Sequence, residues 1–122
     1  MARTIMVVDD SVAVRQMVGL ALRGAGYEVI EGRDGQDALK QLDGRKVHLI
    51  ISDVNMPNMD GISFLKAVKE RQAYRFTPVI MLTTESQDAK KREGQAAGAK
   101  AWVVKPFSPP QLISAVERLV LP

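Results

Sequence analysis

The feature that most constrains the fold of this sequence is a regular alternation of short apolar runs with longer stretches of helical periodicity. The five apolar runs cover residues 5–8, 29–30, 49–51, 79–82 and 103–104. Such runs are typical of buried strands, and strands that alternate with amphipathic helices predict an α/β fold with a parallel sheet. A chain of 122 residues is long enough for one hydrophobic core, so we expect residues 1–122 to form a single domain.

The stretches that follow the runs carry the signals of helix ends. Three stretches begin at a residue that caps helices, and three stop at glycines, which readily adopt the left-handed conformation found after a helix. The capping residues are Ser11, Asp60 and Ser108, and the terminating glycines are Gly24, Gly26, Gly44 and Gly98. The fourth stretch, residues 86–99, is weakly apolar and contains an interior glycine, Gly94. We therefore expect five helices, one after each strand.

The composition of the runs indicates which strands are central. The first, third and fourth runs are apolar throughout, as expected for strands that helices cover on both faces. The second strand includes Glu28 and Glu31, and the fifth begins with Lys100, so these two are expected at the edges. With right-handed crossovers, the strand order 2-1-3-4-5 meets both conditions. Sheets of this kind bind ligands at the carboxyl ends of their strands, where the order switches between the first and third strands.

Polar side chains follow the strands at that edge of the predicted sheet. They are Asp9 and Asp10 after the first strand, Asp53 in LIISDVNMPNMDG at the end of the third, Thr83 and Thr84 at the end of the fourth, and Lys105 after the fifth. Because the carboxyl ends of parallel strands meet at one edge, we expect three carboxylates, a hydroxyl and a lysine to lie close together. Of the two threonines, Thr83 is the stronger candidate.

The three predicted carboxylates would repel one another unless a cation lies among them. Oxygen ligands without histidine or cysteine favour a hard cation, and Mg²⁺ is typically held by one or two carboxylates and waters. We expect Asp10 and Asp53 to bind Mg²⁺ directly and Asp9 to bind it directly or through water. A backbone carbonyl near Asn55 could complete the protein ligands.

The same residues predict phosphoryl chemistry. Mg²⁺ held on one side by the protein can bind phosphate oxygens on the other, and Lys105 and Thr83 would reach the same oxygens. The chain has no cysteine, and its single histidine, His48, is expected at the opposite end of the sheet. A carboxylate is then the available nucleophile, and Asp53 is the best placed. The expected reaction is in-line phosphoryl transfer that gives an aspartyl phosphate.

The motifs VVDDS, ISDVNMPNMDG, MLTT and WVVKPF together resemble the receiver domain of bacterial two-component response regulators. The resemblance extends from about residue 5 to residue 120. It implies the CheY-like fold, a flavodoxin-like, doubly wound (βα)5 sheet in the order 2-1-3-4-5. The chain ends soon after the fifth predicted helix, so the resemblance is to the stand-alone, chemotaxis-type members.

The resemblance also implies a role for each site residue. Asp53 would accept a phosphoryl group from a phosphohistidine of a sensor histidine kinase or a phosphotransfer protein. Asp9 and Asp10 would be the acidic pair, Thr83 the switch hydroxyl, and Lys105 the lysine that contacts the phosphate. Lys105 would precede a cis peptide bond to Pro106. The fourth helix, fifth strand and fifth helix would form the output face for a downstream protein, and the basic residues there suit an acidic peptide.

Trp102 departs from the family pattern. The residue three before the lysine is typically Tyr or Phe in receivers, and it turns inward as the switch threonine moves toward the phosphate. An indole is bulkier, and its N–H needs a hydrogen-bond partner when it is buried. We therefore predict that Thr83 and Trp102 form the switch, with the indole partly outside.

Other functional classes share parts of this pattern. A flavin-binding flavodoxin-like domain needs a loop rich in Ser, Thr and Gly where this chain has Asp9 and Asp10, and a yellow preparation would favour it. A haloacid-dehalogenase-type phosphatase needs an acid where this chain has Asn55, and rapid turnover of phosphate esters would favour it. A DNA-binding regulator would need a second domain.

Charge and composition limit the partners further. The net charge is +3, but the basic residues are scattered from Arg3 to Arg118 and cluster only at residues 90–92. We therefore expect no binding to nucleic acid. No apolar stretch approaches the length of a membrane span, so we expect no membrane contact. The expectation is a cytoplasmic monomer that acts as a signalling switch and not as a metabolic enzyme.

Overall fold

The computed structural model of the protein describes residues 2–84 and 88–122. Five parallel strands form one sheet in the order β2-β1-β3-β4-β5. They are β1 (Thr4–Val8), β2 (Glu28–Gly32), β3 (Leu49–Asp53), β4 (Val79–Thr83) and β5 (Ala101–Val104). The predicted order is confirmed, with β2 and β5 at the edges.

Five helices alternate with the strands. They are α1 (Val12–Gly24), α2 (Gly35–Gln41), α3 (Gly61–Glu70), α4 (Asp88–Ala96) and α5 (Pro109–Leu119). The predicted caps are confirmed, because the side chains of Ser11, Asp60 and Ser108 each accept a hydrogen bond from a backbone N–H in the first turn. A short 3₁₀ turn at Gln72–Tyr74 was not predicted, since three residues are too few for a periodic pattern.

One helix ends earlier than the glycine pattern predicts. Helix α2 ends at Gln41, before Gly44, because the Arg71 guanidinium donates hydrogen bonds of 2.7 Å to the carbonyl oxygens of Leu39 and Leu42. Helix α4 ends as predicted, because its last residue is Ala96 and Gly98 follows it in the left-handed conformation with a φ of 105°. The predicted start of this helix at residue 86 lies outside the described residues.

Alternate residues of the central strands enter two separate cores. In β1, Ile5 and Val7 pack with side chains of α1 and α5, whereas Met6 and Val8 pack with side chains of α2 and α3. This double burial explains why β1, β3 and β4 are apolar up to their carboxyl ends, where the buried polar residues Ser52, Asp53 and Thr83 lie. None of the helices formed by the described residues has both the length and the apolar character needed to cross a bilayer.

Strand register brings the carboxyl ends of four strands to one edge. Val8 pairs with Ser52 across β1 and β3, so Asp9 and Asp53 emerge side by side. Thr83 pairs with Val104 across β4 and β5, and the next residue, Lys105, donates its backbone N–H to the Thr83 carbonyl at 2.7 Å. Residues that are far apart in the sequence therefore surround one crevice.

Candidate functional site

The three predicted carboxylates form one cluster. Asp9, Asp10 and Asp53 each offer an oxygen, and these oxygens lie within 4.8 Å of one another. Asp9 and Asp53 are buried, whereas Asp10 is exposed. Their combination of close spacing and all-oxygen donors matches what a hard divalent cation requires.

Asp9 is fixed by the start of helix α1. Its Oδ1 accepts a hydrogen bond of 2.9 Å from the backbone N–H of Ser11, and its own carbonyl accepts one of 2.6 Å from the Arg15 guanidinium. Arg15 also pairs with Glu31 of β2 at 3.3 Å. The first acid of the pair is therefore held in place from both sides, while the exposed Asp10 borders the open side of the crevice.

Lys105 links the two buried acids. Its Nζ lies 3.1 Å from Asp53 Oδ1 and 3.5 Å from Asp9 Oδ2. The Oδ1 atom of Asp53 also accepts a hydrogen bond of 3.0 Å from the backbone N–H of Val54. Burial, and then the negative charge of Asp9, raise the pKa of Asp53 above its usual value despite the attraction of Lys105. The ionised cluster is thus short of positive charge, which a divalent cation would supply.

Gly61, the first residue of α3, lets this helix approach the end of β3. A Cβ built at this position would overlap the carbonyl oxygen of Asp53. The backbone N–H of Gly61 donates to the Val54 carbonyl at 2.8 Å. The sequence analysis used the preceding Asp60 only as a helix cap and missed this contact. The Asp-Gly pair after a carboxylate-ending strand was the available signal.

The remaining predicted residues surround the cluster. Thr83 is buried at the end of β4, and its hydroxyl donates to the carbonyl of the exposed Thr84 at 3.2 Å. Asn55 is exposed and, with Asp10 and Lys90, lines an open cleft of about 370 Å³ beside the cluster. The peptide bond between Lys105 and Pro106 is cis.

Trp102 lies on β5 beside Met81 of β4 and packs, partly buried, against the core below α3. Its six-membered ring contacts Gly94 of α4, where a Cβ would overlap Cζ2 of the indole. The indole Nε1 is buried and has no hydrogen-bond partner among the residues that the structure describes. The sequence analysis identified the need for a partner but missed the role of Gly94.

His48 lies away from this site. Its Nδ1 accepts the backbone N–H of Thr4 at 2.9 Å, next to the amino end of β1. Met56 and Met59 pack against the core. The chain has no cysteine, and the described groups that meet at the cluster are the three carboxylates, the ammonium of Lys105 and the hydroxyl of Thr83, with Lys90 in the adjoining cleft. Such a set can bind a cation and an oxyanion, and its available nucleophile is a carboxylate.

Comparison with known families agrees with this geometry. The response regulator receiver domain family matches residues 5–117. The chain belongs to this family. Receiver domains act as signalling switches between histidine kinases and downstream targets. Because the chain belongs to this family, the flavin-binding domain and the haloacid-dehalogenase-type phosphatase are no longer candidate functions.

Relatives of this receiver domain serve different outputs. Chemotaxis protein CheY4 of Vibrio cholerae has a solved structure that is 47% identical, with a TM-score of 0.93 over 98% of this chain and all of that one. Protein PilG of Pseudomonas aeruginosa is 34% identical over 93% of this chain and 84% of its own length. The phosphate regulon transcriptional regulatory protein PhoB of the same organism is 34% identical, and this chain covers 52% of it. The chain thus spans about half the length of several curated relatives.

Proposed function

We infer that Asp53 is the phospho-acceptor of this receiver domain and takes its phosphoryl group from a phosphohistidine of a sensor kinase or phosphotransfer protein. The observation that carries this inference is the position of Lys105 Nζ, 3.1 Å from Asp53 Oδ1, inside a cluster of three carboxylates. An ammonium at this distance would also reach the oxygens of a phosphoryl group on Asp53 and offset their charge.

The bonds that change lie between an oxygen of Asp53 and the phosphoryl group of the donor. Val54 N–H and Lys105 both hold Oδ1, so Oδ2 is the oxygen that attacks phosphorus. A P–O bond forms, the P–N bond of the phosphohistidine breaks, and the imidazole leaves with the electron pair. The product is an acyl phosphate on Asp53, which water later hydrolyses. A receiver domain that forms this acyl phosphate and hydrolyses it slowly acts as a switch.

The donor set fits Mg²⁺. Asp10 and Asp53 would hold it directly, with Asp9 direct or through water and the backbone carbonyl of Asn55 as a further ligand. When bound, the ion would neutralise charge on the transferred phosphoryl group. The raised pKa of Asp53, caused by burial and by Asp9, supports this assignment because the cluster itself lacks sufficient positive charge.

Thr83 and Trp102 would convert phosphorylation into a change of the output face. The Thr83 hydroxyl, at the end of β4, would move toward the phosphoryl oxygens and vacate space into which the half-buried indole can turn. The output face consists of α4, β5 and α5. It presents the exposed residues Lys91, Lys100, Val104 and Arg118, which suits an acidic segment of a downstream protein.

We propose a chemotaxis-type role as a stand-alone, monomeric, cytoplasmic response regulator that contacts neither nucleic acid nor membrane. The likeness to CheY4 supports this role, because it covers both chains almost entirely. The matches to transcriptional regulators such as PhoB concern about half of those proteins and give no such support.

The proposed function is tested by phosphoryl transfer from a purified, phosphorylated histidine kinase domain with and without a chelator. We expect transfer to the wild-type chain only when Mg²⁺ is present. Lys105→Ala should slow transfer on the order of 100-fold, the loss typical of removing one preorganised group that stabilises charge. Lys66→Ala, which removes an exposed lysine of α3, serves as the matched control. Equal rates for Lys105→Ala and Lys66→Ala would contradict the role of Lys105.

A further inference from the structure

The edge of the sheet opposite the acidic cluster is basic. A basic residue precedes four of the five strands: Arg3 before β1, Lys46 before β3, Arg75 before β4 and Lys100 before β5. All four are exposed. None of them forms a salt bridge with any residue in the described ranges. These four residues lie outside the helices, so their positive charges do not serve to offset the partial negative charge at the carboxyl ends of helices. We call these four residues the basic edge.

A cleft of about 180 Å³ opens in this edge between the loop before β3 and the loop before β4. Arg45 and Lys46 contribute one wall, and Gln72, Ala73 and Phe76 contribute the other. Phe76 is 83% exposed, the highest value among the large apolar side chains of the described residues. An exposed aromatic ring and an arginine beside a largely apolar cleft are residue types that are enriched in protein interfaces.

The two walls of the cleft are held in place by buried and half-buried side chains. The Tyr74 hydroxyl donates to the Arg45 carbonyl and accepts from the Gly44 N–H, both at 2.9 Å, so it ties the two loops together. Lys69 Nζ donates to the carbonyls of Arg75 and Thr77 at 3.2 and 2.5 Å. The outward position of Phe76 is therefore built into the fold, and a partner would bind with little ordering cost.

The charges around the cleft select an acidic partner. Asp43 pairs with Arg45 at 3.2 Å. Lys46 in the cleft wall, and Arg75, which precedes Phe76 in the sequence but does not line the cleft, form no salt bridge with any of the described residues. Burial, and then the positive charge of Lys100, lower the pKa of Lys69, whose Nζ binds the carbonyls of Arg75 and Thr77 in the loop before β4. At the other edge of the sheet, Asp9, Asp10 and Asp53 repel anions. An acidic partner is thus drawn to the basic edge and away from the phosphorylation site.

We propose that this cleft docks an acidic peptide segment of a partner protein, with an apolar side chain of the segment against Phe76 and carboxylates against Lys46 and Arg75. Binding to a second copy of the chain would instead appear as concentration-dependent self-association. Nucleic acid is a poor occupant, because a single aromatic ring and a few charges give little base stacking or phosphate contact. The cleft lies apart from the output face, which shares only Lys100 with the basic edge, and the proposal does not depend on phosphoryl transfer.

The test uses a synthetic fluorescein-labelled peptide in which glutamates flank one leucine. We expect the full-length protein to bind it with affinity that falls as salt is added. Amide chemical shifts should change in residues 43–47 and 71–77 and not in α4, β5 or α5. Phe76→Ser should weaken binding by about tenfold or more, the loss expected for an aromatic anchor. Lys46→Glu should weaken it further and flatten the salt dependence.

Matched controls keep the outcomes distinct. Leu20→Ser removes an equally isolated apolar side chain, 74% exposed on α1, and Lys66→Glu makes the same charge reversal on α3. Both control variants should leave peptide binding unchanged. These two variants, Phe76→Ser and Lys46→Glu should all accept a phosphoryl group at the wild-type rate. Unchanged affinity in Phe76→Ser, or shifts confined to the output face, would overturn the proposal. Tighter Phe76-dependent binding to a single-stranded oligonucleotide or to anionic vesicles would overturn it as well, by assigning the cleft to another partner.

Discussion

Gly94 of α4 lies directly against the indole of Trp102, in space that a larger residue could not share. A Cβ on Gly94 would overlap Cζ2 of the indole and lie 2.9 Å from Cη2, with Ile62 Cδ1 at 3.1 Å on the other side. The bulky aromatic of this receiver domain is thus accommodated by a missing side chain on the neighbouring helix. The contact joins β5 to α4, the two elements that we place in the output face.

Gly94→Ala is expected to destabilise the protein, although alanine favours helix. In an unconstrained helix the change would stabilise by about 0.5–1 kcal/mol. Here the new methyl group must displace the indole or the helix, and overpacking of this kind costs about 1–3 kcal/mol. Denaturant unfolding gives the free energy, and Gln95→Ala, at an exposed position of the same helix, is the matched control.

The reason why Gly94→Ala loses stability can be tested in a variant with a smaller aromatic residue at position 102. Trp102→Phe removes the ring atoms that contact Gly94, so in this background Gly94→Ala should become neutral or stabilising. The coupling between the two substitutions is measured by a double-mutant cycle. Additive effects would show that Gly94 and Trp102 do not constrain each other.

The emission of the single tryptophan is expected to report the switch. Trp102 is partly exposed, so an inward turn would bury further indole surface and shift the emission maximum to the blue. Beryllofluoride with Mg²⁺ should produce this shift in the wild-type chain and not in Asp53→Ala. The indole N–H is already buried without a partner among the described residues, so an inward turn that provides one would relieve a cost of roughly 1–3 kcal/mol. Identical spectra with and without the mimic would mean that Trp102 does not switch.

Without metal, Asp53 is expected to reduce stability at neutral pH. Folding raises the pKa of this carboxyl, through burial and then Asp9, so the folded chain binds more protons than the unfolded chain between the two pKa values. Stability therefore falls as pH rises through that window, and the deficit persists above it. Asp53→Asn should melt higher than wild type at neutral pH in a chelator, and the difference should shrink as pH falls through that window and vanish below the usual aspartate pKa.

Mg²⁺ should reverse the order of these two proteins. A ligand of the folded state stabilises by about 2.7 kcal/mol at roughly a hundredfold excess over its dissociation constant. Asp53→Asn lacks one of the proposed ligands and should gain less. A wild-type melting curve that millimolar Mg²⁺ leaves unmoved would contradict the metal site.

The strand order and the gathering of Asp9, Asp10, Asp53 and Lys105 were accessible from the sequence because both follow from the period and ends of the strands. Parallel strands must bring their carboxyl ends to one edge, so residues that directly follow the strands meet there regardless of loop detail. The order of the motifs along the chain then indicated the family.

The contacts that the sequence did not reveal depend on how helices sit against the sheet. Gly94 was read as a weak point of α4, because only the position of β5 places an indole against it. Helix α2 ends early because Arg71, more than two dozen residues later in the chain, binds its last carbonyls. Tyr74 joins two loops in a similar way. Each of these contacts joins segments that are far apart in the sequence, so no periodic pattern predicts it.

The central claim is that Asp53 carries the phosphoryl group, and the most direct measurement is the site of phosphorylation. The protein is incubated with acetyl phosphate and Mg²⁺, and its intact mass and proteolytic fragments are determined by mass spectrometry, with Asp53→Asn as control and circular dichroism to verify its fold. We expect wild type to gain one phosphoryl group on the fragment that contains Asp53, and the folded Asp53→Asn variant to gain none. Equal labelling of the variant, or a phosphoryl group on a fragment without Asp53, would contradict the account.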